Sequence, residues 1–96
     1  MTMAPELEGA VDRAALLDVV ADPIRWRILA GLGNEPRCVC AIQSDVDVSA
    51  SLVSYHLKVL REAGLISAAR RGRWIDYTLA PDAHDRIVAA LPTAGG

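Results

Sequence analysis

One stretch constrains this chain more than any other: residues 41–65, AIQSDVDVSASLVSYHLKVLREAGL. Laid out at about 100° per residue, Leu52, Val53, His56, Leu57, Leu60 and Ala63 fall on one side of a helix, and Ser51, Ser54, Tyr55, Lys58, Arg61 and Glu62 on the other. Ser49 stands where an N-cap belongs and Gly64 where a C′ glycine ends the helix. The preceding segment, residues 41–46, is long enough only for a short supporting helix. Two helices joined by a tight turn are therefore expected, the second with a core face and a polar face. Small hydroxyls, Tyr55 and Lys58 open that polar face, a set that can approach base edges and phosphates with no carboxylate in the way. This is the layout of a recognition helix in a helix-turn-helix.

Around it the rest of the chain falls into order. Residues 1–9 read as a flexible arm punctuated by Pro and Gly. Residues 10–21 read as a helix whose apolar positions Val11, Ala14, Ala15, Leu17 and Val20 form too wide a stripe for the solvated surface of a monomer. Asp22-Pro23 combines a good N-cap with a proline at the first helical position, and Ile24, Ile28, Leu29 and Leu32 repeat at helical spacing up to the stop at residues 33–36. Cys38 is expected in an extended entry segment and Cys40 at the N-terminus of the supporting helix, with Gln43 as its capping-box partner. Residues 65–69 and 74–79 read as two strands joined at Arg70-Arg71-Gly72-Arg73, with Arg71-Gly72 supplying the turn. Residues 81–91 form a last helix with His84, Ile87, Val88 and Leu91 on one stripe, and residues 92–96 a flexible tail. The fold class is mainly α with a two-stranded β-hairpin: a winged helix-turn-helix, α-α-α-α-β-β-α, spanning residues 10–91.

Charge supports this division. Net charge is −2 overall, which does not advertise a nucleic-acid partner, but the charge is segregated. Residues 1–48 carry four basic and eight acidic side chains, whereas residues 49–79 carry five basic (Lys58, Arg61, Arg70, Arg71, Arg73) and two acidic. The positive part coincides with the recognition helix and wing. Ser49, Ser51, Ser54, Tyr55, Lys58, Arg61, Arg70, Arg71 and Arg73 are the candidate DNA-binding residues. Two blander readings stand beside this one: the wing arginines could simply protect a sheet edge, and Lys58 could pair with Glu62. His56 is expected to be a packed, hydrogen-bonded residue, and Trp26 and Trp74 core or interface anchors. With 96 residues a single core is only marginally stabilising, so a partner subunit is expected. No apolar run is long enough to span a bilayer and no signal segment opens the chain, so a cytoplasmic protein with no membrane association is expected.

ADPIRWRILAGL, the CVC triplet, VSASLVSYHLKVLREAGLI and RRGRWIDYTL together resemble the ArsR/SmtB family of metal-sensing bacterial repressors, over residues 22–79. The resemblance implies a homodimer, held by its first and last helices, that represses a palindromic double-stranded DNA operator until an inducer binds. It also implies no permanent cofactor. In relatives that sense arsenite or antimonite a third cysteine follows the pair; here Gln43 takes that place. Cadmium- and lead-sensing relatives add cysteines from the arm, which offers only Met1 and Met3. The zinc pattern of the last helix is half matched, by Asp82-Ala83-His84.

Cysteine chemistry points the same way. Two cysteines two positions apart do not make an ordinary disulfide framework, and thiolates are soft ligands. A helix N-terminus with Arg37 adjacent is expected to lower thiol pKa. Cys38 and Cys40 are thus the candidate site for As(III) or Sb(III) as inducer, with the third ligand and the choice between the two ions left open. Because i and i+2 side chains diverge on a helix, gathering both sulfurs onto one ion is expected either to unwind the first turn of the supporting helix or to rotate the entry segment. The competing readings are that the cysteines are small buried hydrophobes, that they form a redox sensor on the same fold, that the repressor answers another inducer, and that the domain binds proteins and not DNA. An enzyme is disfavoured, because no nucleophile, base and orienting acid converge.

Overall fold

The structure, a computed structural model, describes residues 5–33 and 35–92. The outer parts of the expected arm and tail, residues 1–4 and 93–96, and Asn34 of the expected helix stop lie outside the described residues. The elements run α1 Pro5–Ala21, α2 Pro23–Leu32, β1 Arg37–Cys38, α3 Val39–Val46, α4 Ala50–Glu62, β2 Ile66–Arg71, β3 Trp74–Leu79 and α5 Ala83–Ala90. This is the winged helix-turn-helix expected, with differences at four places.

Residues 5–9, expected in the arm, belong to α1. Proline is tolerated at a helix start because the N–H it lacks would have no intrahelical acceptor there, so Pro5 begins the helix instead of delaying it. The sheet has three strands in the order β1-β3-β2, not two. Arg37 pairs with Tyr77 and Cys38 with Asp76 in an antiparallel ladder, which satisfies the inner edge of β3. Arg70 and Arg71, expected in the turn, extend β2, and the hairpin turns on Gly72-Arg73 with Arg71 opposite Trp74. Gly72, at φ +62°, takes the first loop place, where a type II′ turn calls for glycine. Finally, α5 starts at Ala83, two residues later than expected from Pro81.

Helix signals otherwise act as the sequence suggests. Asp22 caps α2, its Oδ1 accepting from the Ile24 and Arg25 N–H groups at 2.8 and 3.1 Å, and the Arg25 N–H bond is the main cause that holds its carboxyl below the usual carboxylate range. At the end of α4 the Leu65 N–H reaches the Leu60 carbonyl and the Gly64 N–H reaches that of Arg61, a Schellman closure that Gly64 permits at φ +75°. Leu65 is thereby turned inward, joining Val20, Ile28, Leu32, Ile42, Val53, Leu57, Leu60, Ile66 and Ala83 in one core.

That core leaves α1 largely unused. Leu7 and Val11 on α1 and Val88 and Leu91 after it on the α5 side are each about half exposed, and α1 packs on α5. A groove of about 480 Å³ between them is lined by Ala10, Arg13, Ala14, Leu17, Ala89 and Leu91. The radius of gyration, 15.1 Å, exceeds the ~12.5 Å of a compact chain of this length. Among the described residues no helix is long and apolar enough to cross a membrane.

Candidate nucleic-acid interface and thiol site

The helix-turn-helix is α3, a turn at Asp47 and Val48, and α4. Asp47 takes a left-handed conformation (φ 52°, ψ 48°) with its N–H on the Gln43 carbonyl, one of the few non-glycine residues that does so readily. Gln43 is not a capping-box partner: the cap of α3 is Cys38, whose side chain makes no capping hydrogen bond, and the Gln43 amide donates to the Val48 carbonyl at 3.4 Å. Ser49 caps α4, its hydroxyl accepting from the Leu52 N–H at 3.2 Å. Ser51, Ser54, Tyr55, Lys58 and Arg61 are exposed along α4, while Val53, His56, Leu57 and Leu60 are buried. Leu52, expected with the core, is exposed, because it sits at the margin of the apolar arc, about a quarter turn from its centre. Among the described residues Lys58 has no ion pair with Glu62.

His56 is held from outside its helix. Arg25 Nη1 lies 3.0 Å from His56 Nδ1, and Arg25 Nε donates to the Val19 carbonyl at 2.7 Å. One guanidinium thus ties the α1–α2 junction to the buried face of α4. Trp26 and Trp74, by contrast, are exposed and not core residues; Trp26 borders an apolar cavity of about 280 Å³ with Val20, Leu79 and Ile87.

In the wing the three arginines do not act as one cluster. Arg70 shares a face with Ile75 and Tyr77, Arg71 shares the opposite face with Asp76 and Cys38, and Arg73 sits in the turn. Arg71 Nε donates to Asp76 Oδ2 at 2.7 Å, and its Nη2 lies 3.4 Å from Oδ1. The shared hydrogen bond lowers the Asp76 carboxyl below the usual carboxylate range and raises the Arg71 guanidinium. The sequence held a signal for this pair: with a two-residue turn at Gly72-Arg73, residues 71 and 76 become diagonal neighbours on one face. Placing the turn one residue earlier hides it.

Cys38 and Cys40 are joined as a disulfide, with Cα atoms 5.4 Å apart. Two expectations are thereby corrected. The pair does form a disulfide, with each other, and gathering the sulfurs does not require α3 to unwind. Cys38 is extended (φ −73°, ψ 160°), as expected, and only Cys40 lies in the first turn of α3, so the divergence of i and i+2 positions within a helix does not apply to the pair. Nor does Arg37 serve the thiols: its guanidinium bonds Asp45 and the Gly31 carbonyl. Cys38 is partly buried and Cys40 exposed, so neither is a packed hydrophobe. Cys38 borders an open cavity of about 960 Å³ that Arg71 and Asp76 also line. Among the described residues no group of three or more His, Cys, Asp or Glu side chains could hold a metal ion.

A short supporting helix, a capped helix with a polar outer face, and a basic hairpin define a winged helix-turn-helix regulator of the DNA-binding kind. Residues 22–68 match the model of "Bacterial regulatory protein, arsR family". Among sequences, the arsenical resistance operon repressor of Escherichia coli is 38% identical over 69 residues, 69% of this chain and 57% of that protein. The crystal structure of NolR from Sinorhizobium fredii superposes with a TM-score of 0.75 at 33% identity, covering 94% of this chain and 91% of that one. The homodimeric winged helix-turn-helix domain of Mb0332 from Mycobacterium bovis, a possible ArsR-family regulator, gives 0.71 at 25% identity, covering 92% and 81%. The chain belongs to the arsR family of bacterial regulatory proteins, whose members are transcriptional regulators and not enzymes. It spans a little over half the length of several curated repressors that it matches, 56–58%.

Proposed function

We propose that this chain is a homodimeric transcriptional repressor that binds a palindromic operator and releases it when a trivalent arsenical or antimonial is held by Cys38 and Cys40. The observation that carries the reading is the convergence of the two sulfurs at the junction of β1 and α3, on a strand hydrogen-bonded to the wing. With the disulfide reduced, two thiols displace two hydroxyls of arsenous acid as water and leave a third position for hydroxide or a small cellular thiol. A two-thiolate donor set fits a three-coordinate ion and does not fit a closed four-ligand zinc site. Similarity to the Escherichia coli arsenical resistance operon repressor supports the same inducer class.

The DNA side of the proposal assigns base reading to Ser51, Ser54 and Tyr55, and phosphate contacts to Ser49, Lys58, Arg61 and the wing arginines. In a dimer two α4 helices must enter successive major grooves about 34 Å apart. A change at β1 is then felt at the wing, through the Cys38–Asp76 pairing, and at α4 through α3.

The disulfide supports a second reading, in which oxidation is itself the signal: peroxide oxidises the two thiols to the disulfide and is reduced to two waters. Titrating the protein–operator complex separates the two. Release by arsenite in the presence of reductant, with none by peroxide, supports the arsenical reading. Release by peroxide alone supports the redox reading, and release by neither removes the cysteine pair as the sensor.

A further inference from the structure

We propose that Asp76 competes with the DNA phosphate for Arg71, and so sets how much of the wing's positive charge DNA can use. Among the described residues Arg71 is the wing arginine with a carboxylate partner: Asp76 Oδ2 is 2.7 Å from its Nε, and Oδ1 is 3.4 Å from its Nη2. Nε and one Nη are the pair of donors that a phosphate would take in a forked contact. The carboxylate therefore occupies the recognition edge of the guanidinium.

Geometry makes the pair exchangeable. The Arg71 side chain is 70% exposed and that of Asp76 15%. Asp76 is fixed in the middle strand of the sheet, with Cys38 opposite on one side and Ala69 on the other. Arg71 stands at the last residue of β2, beside the turn. The carboxylate is thus the rigid partner and the guanidinium the one that can swing away. Exposed ion pairs of this kind change an equilibrium by at most a few-fold, so a phosphate can displace Asp76, but the carboxylate left behind must recover a counterion from solution. Each phosphate contact normally releases close to one counterion. Recovering one cancels most of what Arg71 would contribute.

The test is a double-mutant cycle on the full chain, with wild type, Asp76→Asn, Arg71→Ala and the double variant. Binding to one duplex is measured by anisotropy from low to moderate salt under reducing conditions, and folding of each variant is checked by thermal melting. The expected result is that Asp76→Asn binds about two- to five-fold tighter at low salt and steepens the log–log salt slope by up to about 0.9. Arg71→Ala should weaken binding, because it removes the guanidinium and leaves the Asp76 carboxylate unpaired beside the DNA. In the Arg71→Ala background, Asp76→Asn should lose its effect on the slope. Equal gains in both backgrounds would show Asp76 acting only through general charge and overturn the proposal. Weaker binding by Asp76→Asn would show that it presents Arg71 to DNA and overturn it too. The measurement involves no inducer, so its outcome is independent of what Cys38 and Cys40 sense.

Discussion

Arg25 Nη1 and His56 Nδ1 lie 3.0 Å apart, and a guanidinium can only donate. The Nδ1 nitrogen of His56 must therefore accept, which places the ring proton on Nε2 and fixes the tautomer of the one buried histidine of α4. His56→Leu keeps the volume but leaves Arg25 without this acceptor. It is expected to cost about 1–3 kcal/mol in denaturant unfolding, and His56→Gln, whose carbonyl can accept, to cost less. Equal losses for the two would show that His56 matters only as packing.

Asp22 gives a pH-dependent element of stability. Its carboxyl lies below the ordinary value of 3.8 because the backbone N–H of Arg25 bonds its charged form. A group depressed on folding contributes its stabilisation in full above the unfolded value and loses it as pH falls through the folded value. Wild type should therefore lose stability more steeply than Asp22→Asn below pH ~4, while near neutrality Asp22→Ala should lose about 1 kcal/mol of cap stabilisation. Urea midpoints across that range check both.

These two residues also mark where the sequence was legible. Asp22, Ser49 and Gly64 announce helix ends through their own backbone chemistry, so α2 and α4 could be placed from local signals. Partnerships that depend on which elements meet could not: Arg25 and His56 are 31 residues apart in the chain. Strand β1 is two residues long and owes its conformation to β3, so no local period exists to reveal it. For the cysteine pair the boundary was legible, Cys38 extended and Cys40 in the first turn of α3, whereas the disulfide between them was not, since within a regular helix i and i+2 side chains diverge.

Reading and positioning should separate on the DNA. Arg73→Ala removes a charge from the turn, with no ion pair given up among the described residues. It should weaken binding to operator and random duplex alike and reduce the salt slope by about 1. Ser54→Ala and Tyr55→Ala should instead lower the ratio between operator and random duplex. If all three act equally on every duplex, the division between α4 and the wing is wrong.

The apolar side of α1 and α5 carries the proposed assembly. Val11 and Val88 are about half exposed, and in a two-fold interface each substitution enters twice. Val11→Asp or Val88→Asp should weaken self-association at least tenfold, since each would bury unpaired carboxylates. Sedimentation should show monomers, and operator affinity should fall with them. A fully dimeric Val88→Asp protein would place the interface elsewhere.

The cysteine variants test sensing apart from DNA binding. Neither Cys38 nor Cys40 lies on α4 or the wing, so Cys38→Ser and Cys40→Ser should each leave operator affinity within about two-fold of the reduced wild type. A serine hydroxyl fits where the thiol did, but it is a harder and far less acidic ligand. One remaining thiolate cannot bridge β1 to the first turn of α3, so either substitution alone should abolish release by arsenite. The chain has two cysteines and no other, which leaves no spare thiol to compensate. The same variants cannot form the intramolecular disulfide, so release by peroxide, if the wild type shows it, should also disappear. A double Cys→Ser protein that still leaves its operator on adding arsenite would move the sensor away from the β1–α3 junction.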